Sequence, residues 1–114
     1  MTAQAATATF RALADPIRVD IIERVAAGRE VTATALATEL PITRQAVARH
    51  LVTLEAAGLV SGERLGRETR YQVATAPLVD AADWLETRAV SWDLALLRLS
   101  AHLDRQAAGE VADS

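Results

Sequence analysis

"TRQAVARHLVTLEAAGLV", residues 43–60, decides how the rest of the chain is read. Val47, Leu51 and Leu54 recur at helical spacing and share one narrow arc of a helical wheel. Arg44, Gln45, Ala48, Arg49 and Val52 fall on the opposite side. Thr43 is a good N-cap and Gly58 suits the position just past a helix end, so the pattern predicts a helix over about 43–57. Its apolar arc needs a core to dock on. Its other side faces outward with arginine and glutamine, side chains that pair with base edges in a DNA major groove. Ala48 keeps that side shallow enough to approach a groove wall.

Upstream, Thr32 caps a short helix through Leu40, with Leu36 and Leu40 one turn apart. Pro41 in "LPIT" ends it, and two helices joined by so short a break form a helix-turn-helix pattern. Before that, Asp15-Pro16 opens a helix running to about Ala27, with Ile17, Ile21, Ile22 and Val25 as its stripe and Gly28 at its end. A first helix over 7–14 presents Phe10, Leu13 and Ala14. Downstream, residues 59–65 and 69–73 read as two strands around "GRE", with Gly66 at the tip. Tyr71 and Val73 face inward, Arg70 and Gln72 outward. Arg64, Arg67 and Arg70 flank the tip and suit a wing that tracks a phosphate backbone, tempered by Glu63 and Glu68.

From Pro77 to about Gln106 a last helix carries the cleanest periodicity. Leu78, Leu85, Trp92 and Leu99 are seven apart, as are Ala82, Ala89, Leu96 and Leu103, offset by four. This two-position seam predicts a dimer interface, with Trp84 and Trp92 adding aromatic area. The fold class is therefore mainly α with a small β-hairpin: a winged helix-turn-helix with a long C-terminal helix in a dimer interface. Residues 1–6 are expected to be a flexible N-terminus, 7–106 one DNA-binding and dimerisation domain, and 107–114 a flexible tail.

Composition narrows the chemistry. The 114 residues suit one domain. No cysteine is present, which removes disulfides, thiol redox sensing and thiolate metal sites. The net charge is −3, yet residues 41–75 hold five arginines against three glutamates, a local +2, while the remainder holds seven against twelve acids, −5. His50 and His102 form no H-x-H or H-x-x-x-H pair, so no metal or other cofactor is expected. A half-buried His50 bonded to backbone is the bland expectation. Phosphate-binding glycine loops and the G-x-S-x-G turn are missing, so an enzyme is not expected. Neither a leader peptide nor a membrane span is visible, and a cytoplasmic protein is the default.

"FRALADPIRVDIIERV", "TRQAVARHLVTLEAAGLV" and "GRETRYQV", in that order, resemble the ArsR family of bacterial winged-helix repressors over roughly 10–104. The resemblance implies a homodimer, paired through its first and last helices with Phe10 at the interface, that binds operator DNA and releases it on a signal. Metal-sensing members carry Cys-x-Cys entering the third helix, where this chain has Thr32 and Thr34. Zinc sensors use Asp-x-His in the last helix, where "DAADWLE", residues 80–86, offers acids but no histidine. Pro41 stands where a glycine is more usual.

The expectation is a repressor binding a pseudo-palindromic double-stranded operator as a homodimer. Gln45 and Arg49 are assigned to base edges, Thr43, Arg44 and Arg67 to phosphates, with Ala48, Arg64 and Arg70 completing the surface. The alternative is a winged-helix dimerisation or protein-docking module without DNA binding, which the acidic net charge favours. An unknown small-molecule effector near Trp84, Trp92 and the first helix is a third expectation.

Overall fold

Two short threonine- and aspartate-led turns set the N-terminal helices. Thr2 Oγ1 accepts the Ala5 N–H at 3.1 Å and starts α1 (Ala3–Leu13). The start lies earlier than the expected residue 7 because the alanine-rich stretch after this cap is a strong helix former. The inward residues also differ from expectation: Ala6, Thr9 and Ala12 are buried, Phe10 and Leu13 half-buried, and Ala14 is an exposed C-cap. Asp15 Oδ1 then accepts the Ile17 N–H at 2.8 Å, and Pro16 takes the first position of α2 (Pro16–Gly28). That backbone hydrogen bond, chiefly, holds the Asp15 carboxyl below the usual aspartate range.

The computed structural model describes residues 1–28 and 31–113, so Ser114 of the expected tail lies outside it. After α2 come β1 (Val31–Thr32), α3 (Ala33–Glu39), α4 (Arg44–Ala56), β2 (Val60–Leu65), β3 (Glu68–Val73) and α5 (Ala76–Asp113). Thr32 and Thr43 cap α3 and α4 as expected, accepting from the Ala35 and Ala46 N–H groups at 3.1 Å each. At the end of α4 the Gly58 N–H donates to Glu55 O at 2.9 Å and the Leu59 N–H to Leu54 O at 3.0 Å. This paired closure needs the left-handed φ of 75° at Gly58.

The hairpin belongs to a three-stranded antiparallel sheet in the order β1-β3-β2, with β3 in the middle. β1 was not foreseen; it pairs Val31 with Tyr71 and Thr32 with Arg70. Two residues carry no readable alternation, so only the pairing reveals them. In β3, Thr69, Tyr71 and Val73 are half-buried and alternate with exposed Glu68, Arg70 and Gln72.

The chain forms two compact units, divided after Ala81. In the first, Ile21, Ile22 and Val25 of α2, Leu36 and Leu40 at α3, and Val47, Leu51 and Leu54 of α4 meet Leu59 and Val60 in one core, with Leu78 packed at its margin. The second is the rest of α5, which runs past the expected end at Gln106 because Ala107 and Ala108 extend it readily. There the Arg88 guanidinium lies 3.8 Å from the centroid of the Trp84 ring, a cation–π contact within one helix. Among the described residues no helix is long and apolar enough to cross a membrane.

Candidate nucleic-acid interface

α4 is two-faced. Val47, Leu51 and Leu54 are fully buried, while Arg44, Gln45, Ala48, Arg49 and Val52 are exposed. Thr43 Oγ1 is engaged as the cap acceptor, and the Val47 N–H bonds to Thr43 O at 3.0 Å. The Arg44 and Gln45 N–H groups precede the first intrahelical partner, so the helix start presents amide donors beside the Arg44 side chain.

The wing stands next to this start. Arg44, Gln45 and Ala48 line one concave recess of about 290 Å³ together with Arg64, Arg67, Glu68, Thr69 and Tyr71 of the hairpin and Thr32, Ala33 and Thr34 at the head of α3. Five of the eight expected surface residues are thus brought together. Thr43, the N-cap of α4, and Arg49, on its exposed face, do not line the recess. Arg70 is placed differently: it lines a second recess with Arg24, Val31, Thr32, Glu39 and Glu68 on the β1 side of the sheet. The alternation of β3 set Arg70 outward correctly, but which side of the wing it serves depends on the unforeseen β1.

Local bonds hold the wing against the helix. Glu55 Oε1 accepts the Gly62 N–H at 3.3 Å, tying the last turn of α4 to β2. Gly62 pairs with Tyr71, and a side chain at 62 would stand 2.9 Å from both Tyr71 Cε1 and Thr69 Cγ2, so the close ring approach requires glycine. Burial, and then the Glu55 carboxylate, push the Tyr71 hydroxyl up from its ordinary value. At the tip Gly66 takes a φ of 67°, and Arg64 Nε donates to Gly66 O at 3.3 Å. Arg67 has no ion-pair partner among the described residues and is exposed.

The middle of α4 is anchored by a residue the sequence did not single out. Arg18 donates through Nε to Ala12 O at 2.6 Å and through Nη2 to Arg11 O at 3.0 Å, closing the end of α1. Its Nη1 lies 3.5 Å from His50 Nδ1 and 3.5 Å from Asp15 Oδ2. His50 is half-buried as expected, but its hydrogen-bonding neighbour is this guanidinium and not a backbone group. An arginine donates only, so Nδ1 accepts. Thr34 at the head of α3 and Thr69 in β3 were also missed as lining residues; a polar residue on a short capped helix or on a wing strand gives no signal until the sheet is placed.

On α5 the seam residues Leu85, Trp92, Leu96, Leu99 and Leu103 are 50–65% exposed, and Ala82 and Ala89 are exposed too. Leu78 packs on its own unit's core, so the open seam begins at Ala82. Phe10 is half-buried. Among the described residues no cluster of three or more metal-ligating side chains occurs, and Thr32 and Thr34 line the recess.

Comparison with known proteins agrees with this architecture. A helix-turn-helix domain profile matches residues 13–63. The HTH-type transcriptional repressor SmtB of Mycobacterium tuberculosis is 39% identical over 70 residues, 61% of this chain and 51% of that repressor. The chain therefore spans about half the length of that relative. The structure of an ArsR-like transcriptional regulator from Rhodococcus sp. RHA1 superposes with a TM-score of 0.76 at 38% identity, over 84% of this chain and 90% of that one. The homodimeric winged helix-turn-helix DNA-binding domain of Mb0332 from Mycobacterium bovis superposes with a TM-score of 0.60 at 27% identity, over 79% and 80%. Helix-turn-helix, winged three-stranded sheet and long last helix, together with these likenesses, show that the chain belongs to the ArsR family of winged-helix transcriptional regulators.

Proposed function

We propose that this protein is a transcriptional repressor that binds a pseudo-palindromic operator as a homodimer. The observation that carries the reading is the recess joining the start of α4 to the wing. Arg44, Gln45, Ala48, Arg64 and Arg67 meet there, on the side of α4 that the core leaves free. A helix of this exposure fits a major groove, and the wing arginines then lie beside backbone phosphates. Gln45 and Arg49 read base edges. Thr43, Arg44 and Arg67 hold phosphates, Arg64 supports the wing turn, and Arg70 serves a more distal backbone contact. The repressor sign follows the named role of SmtB, and the dimer follows the open α5 seam and the homodimeric state of Mb0332. Two-fold symmetry sets the half-sites about 34 Å apart, or a multiple of that. This reading puts the site of action in the cytoplasm.

The test is footprinting on the DNA upstream of the protein's own gene, followed by titration of Arg49→Ala. Two protected half-sites are expected, with an Arg49→Ala loss of about 1–3 kcal/mol and relaxed preference at one base position per half-site. Unchanged affinity and preference in Arg49→Ala would remove the assignment. The net charge of −3 favours a second reading, a protein-docking winged helix without DNA. Absence of any duplex binding at low salt, with an intact dimer, would select it.

A further inference from the structure

Val52 is 67% exposed, more than any other large apolar side chain described. A single exposed apolar residue is ordinary on a protein surface. Its position is not ordinary. Val52 follows Ala48 by four residues and Gln45 by seven, so the three share one ridge on the outermost side of α4, with Arg49 alongside. Ala48 and Val52 thus form a short apolar strip through the middle of a polar, arginine-bearing face. Among the described residues nothing covers this valine. It is β-branched, which lowers helix propensity, and its side chain gains little packing at that exposure.

We infer that Val52 is a specificity-determining residue that contacts a thymine C5-methyl, resting on the DNA-binding reading above. The thymine methyl is the one apolar group on the major-groove edge of a base pair, and it calls for an apolar partner in place of a hydrogen-bonding one. Val52 lies three residues beyond Arg49, about 4.5 Å along the helix axis. One base step rises about 3.4 Å. The thymine therefore lies within about two steps of the base that Arg49 reads. Arginine and valine together distinguish a hydrogen-bonding position from a neighbouring methyl-bearing one, which arginine alone does not.

The experiment uses the full chain and a site obtained by selection from random duplexes. Each thymine of one half-site is replaced in turn by uracil, which deletes only the methyl. In the wild type, one thymine is expected to show about a fourfold loss of affinity, the scale of one buried methyl. Val52→Ala is expected to bind that thymine and uracil equally while keeping its sensitivity at Gln45- and Arg49-dependent positions. Unfolding curves of Val52→Ala should show a fold no less stable than the wild type, since the side chain is outside the core and alanine favours the helix. A chain that selects a site but shows no uracil effect that depends on Val52 overturns this inference alone. A wild-type chain that selects no duplex overturns the DNA reading, and this inference with it.

Discussion

Replacing Arg67 by alanine separates phosphate contact from every other contribution to binding. Arg67 stands at the turn of the wing beside Gly66, exposed and without an ion-pair partner among the described residues. Its removal should leave folding within about 0.5 kcal/mol of wild type. On DNA the effect is defined by counterion release. Each phosphate neutralised contributes about 0.9 to the slope of log affinity against log salt, so two subunits contribute about 1.8. Between 50 and 200 mM salt, a fourfold change, wild type should lose about tenfold more affinity than Arg67→Ala. The variant should be weakened on operator and random duplex alike, because a phosphate carries no sequence. The assay is fluorescence anisotropy at four or more salt concentrations on both duplexes. Parallel salt lines for the two proteins would show that Arg67 meets no phosphate, and a loss confined to the operator would show that it reads bases.

Three other perturbations address the frame that holds this surface. Gly62→Ala forces a methyl to 2.9 Å from Tyr71 and Thr69 side-chain carbons, so overpacking should cost about 1–3 kcal/mol and lower Tm by at least about 4 °C; an unchanged melt would refute the steric account. Leu96→Asp, at a position 63% exposed, should weaken self-association at least about a hundredfold in sedimentation equilibrium, from roughly 1.5–3 kcal/mol of burial lost on each side of the two-fold axis. A dimer of wild-type affinity would exclude Leu96 from the seam. Asp15 has its folded-state pKa lowered by the Ile17 N–H bond, so its charge stabilises the fold above the unfolded value near about 4, and that contribution is lost as pH falls through the folded value. The stability gap between wild type and Asp15→Asn in urea should therefore be full at pH 6 and close below about pH 4; a gap that persists in acid would contradict the charge-based explanation.

The elements that sequence resolved are those whose signal is local. Thr32, Thr43 and Asp15-Pro16 announce helix starts by cap chemistry, and Gly58 announces an end by its left-handed φ. Val47, Leu51 and Leu54 announce a buried face by spacing alone, and all three are fully buried. What sequence did not resolve is set by pairing between distant segments. β1 exists because Val31 and Thr32 reach Tyr71 and Arg70, some forty residues on, and two residues cannot show a period. The recess depends on that sheet, so Thr34 and Thr69 stayed invisible as lining, and Arg70 could be placed outward but not on a side. The His50–Arg18 contact joins α4 to α2 across 32 positions and has no sequence signature at all. α1 misled for a different reason: its small residues Ala6, Thr9 and Ala12 face inward, while the bulky Phe10 is only half-buried. Size is a poor guide where helices approach closely.

The division of α4 into two faces has a consequence for how recognition can change. The residues placed on the DNA side of this helix, Gln45, Ala48, Arg49 and Val52, are exposed, and those that dock it on the core, Val47, Leu51 and Leu54, are fully buried. No side chain serves both roles. Substitutions on the outer face therefore alter binding with little effect on stability, whereas a truncation such as Leu51→Ala costs about 2–5 kcal/mol and moves the whole reading face with it. Orientation is controlled by different contacts again: the Gly62–Glu55 bond fixes the wing to the last turn of α4, and Arg18 ties the middle of α4 to the α1–α2 corner through His50 and the Arg11 and Ala12 carbonyls. A signal that reached the α1–α2 corner would act on the reading helix through this arginine without touching a DNA contact. Loss of operator affinity in Arg18→Ala, with an unchanged salt slope and an intact dimer, is the pattern such coupling produces, because the phosphate contacts remain and only their alignment is lost.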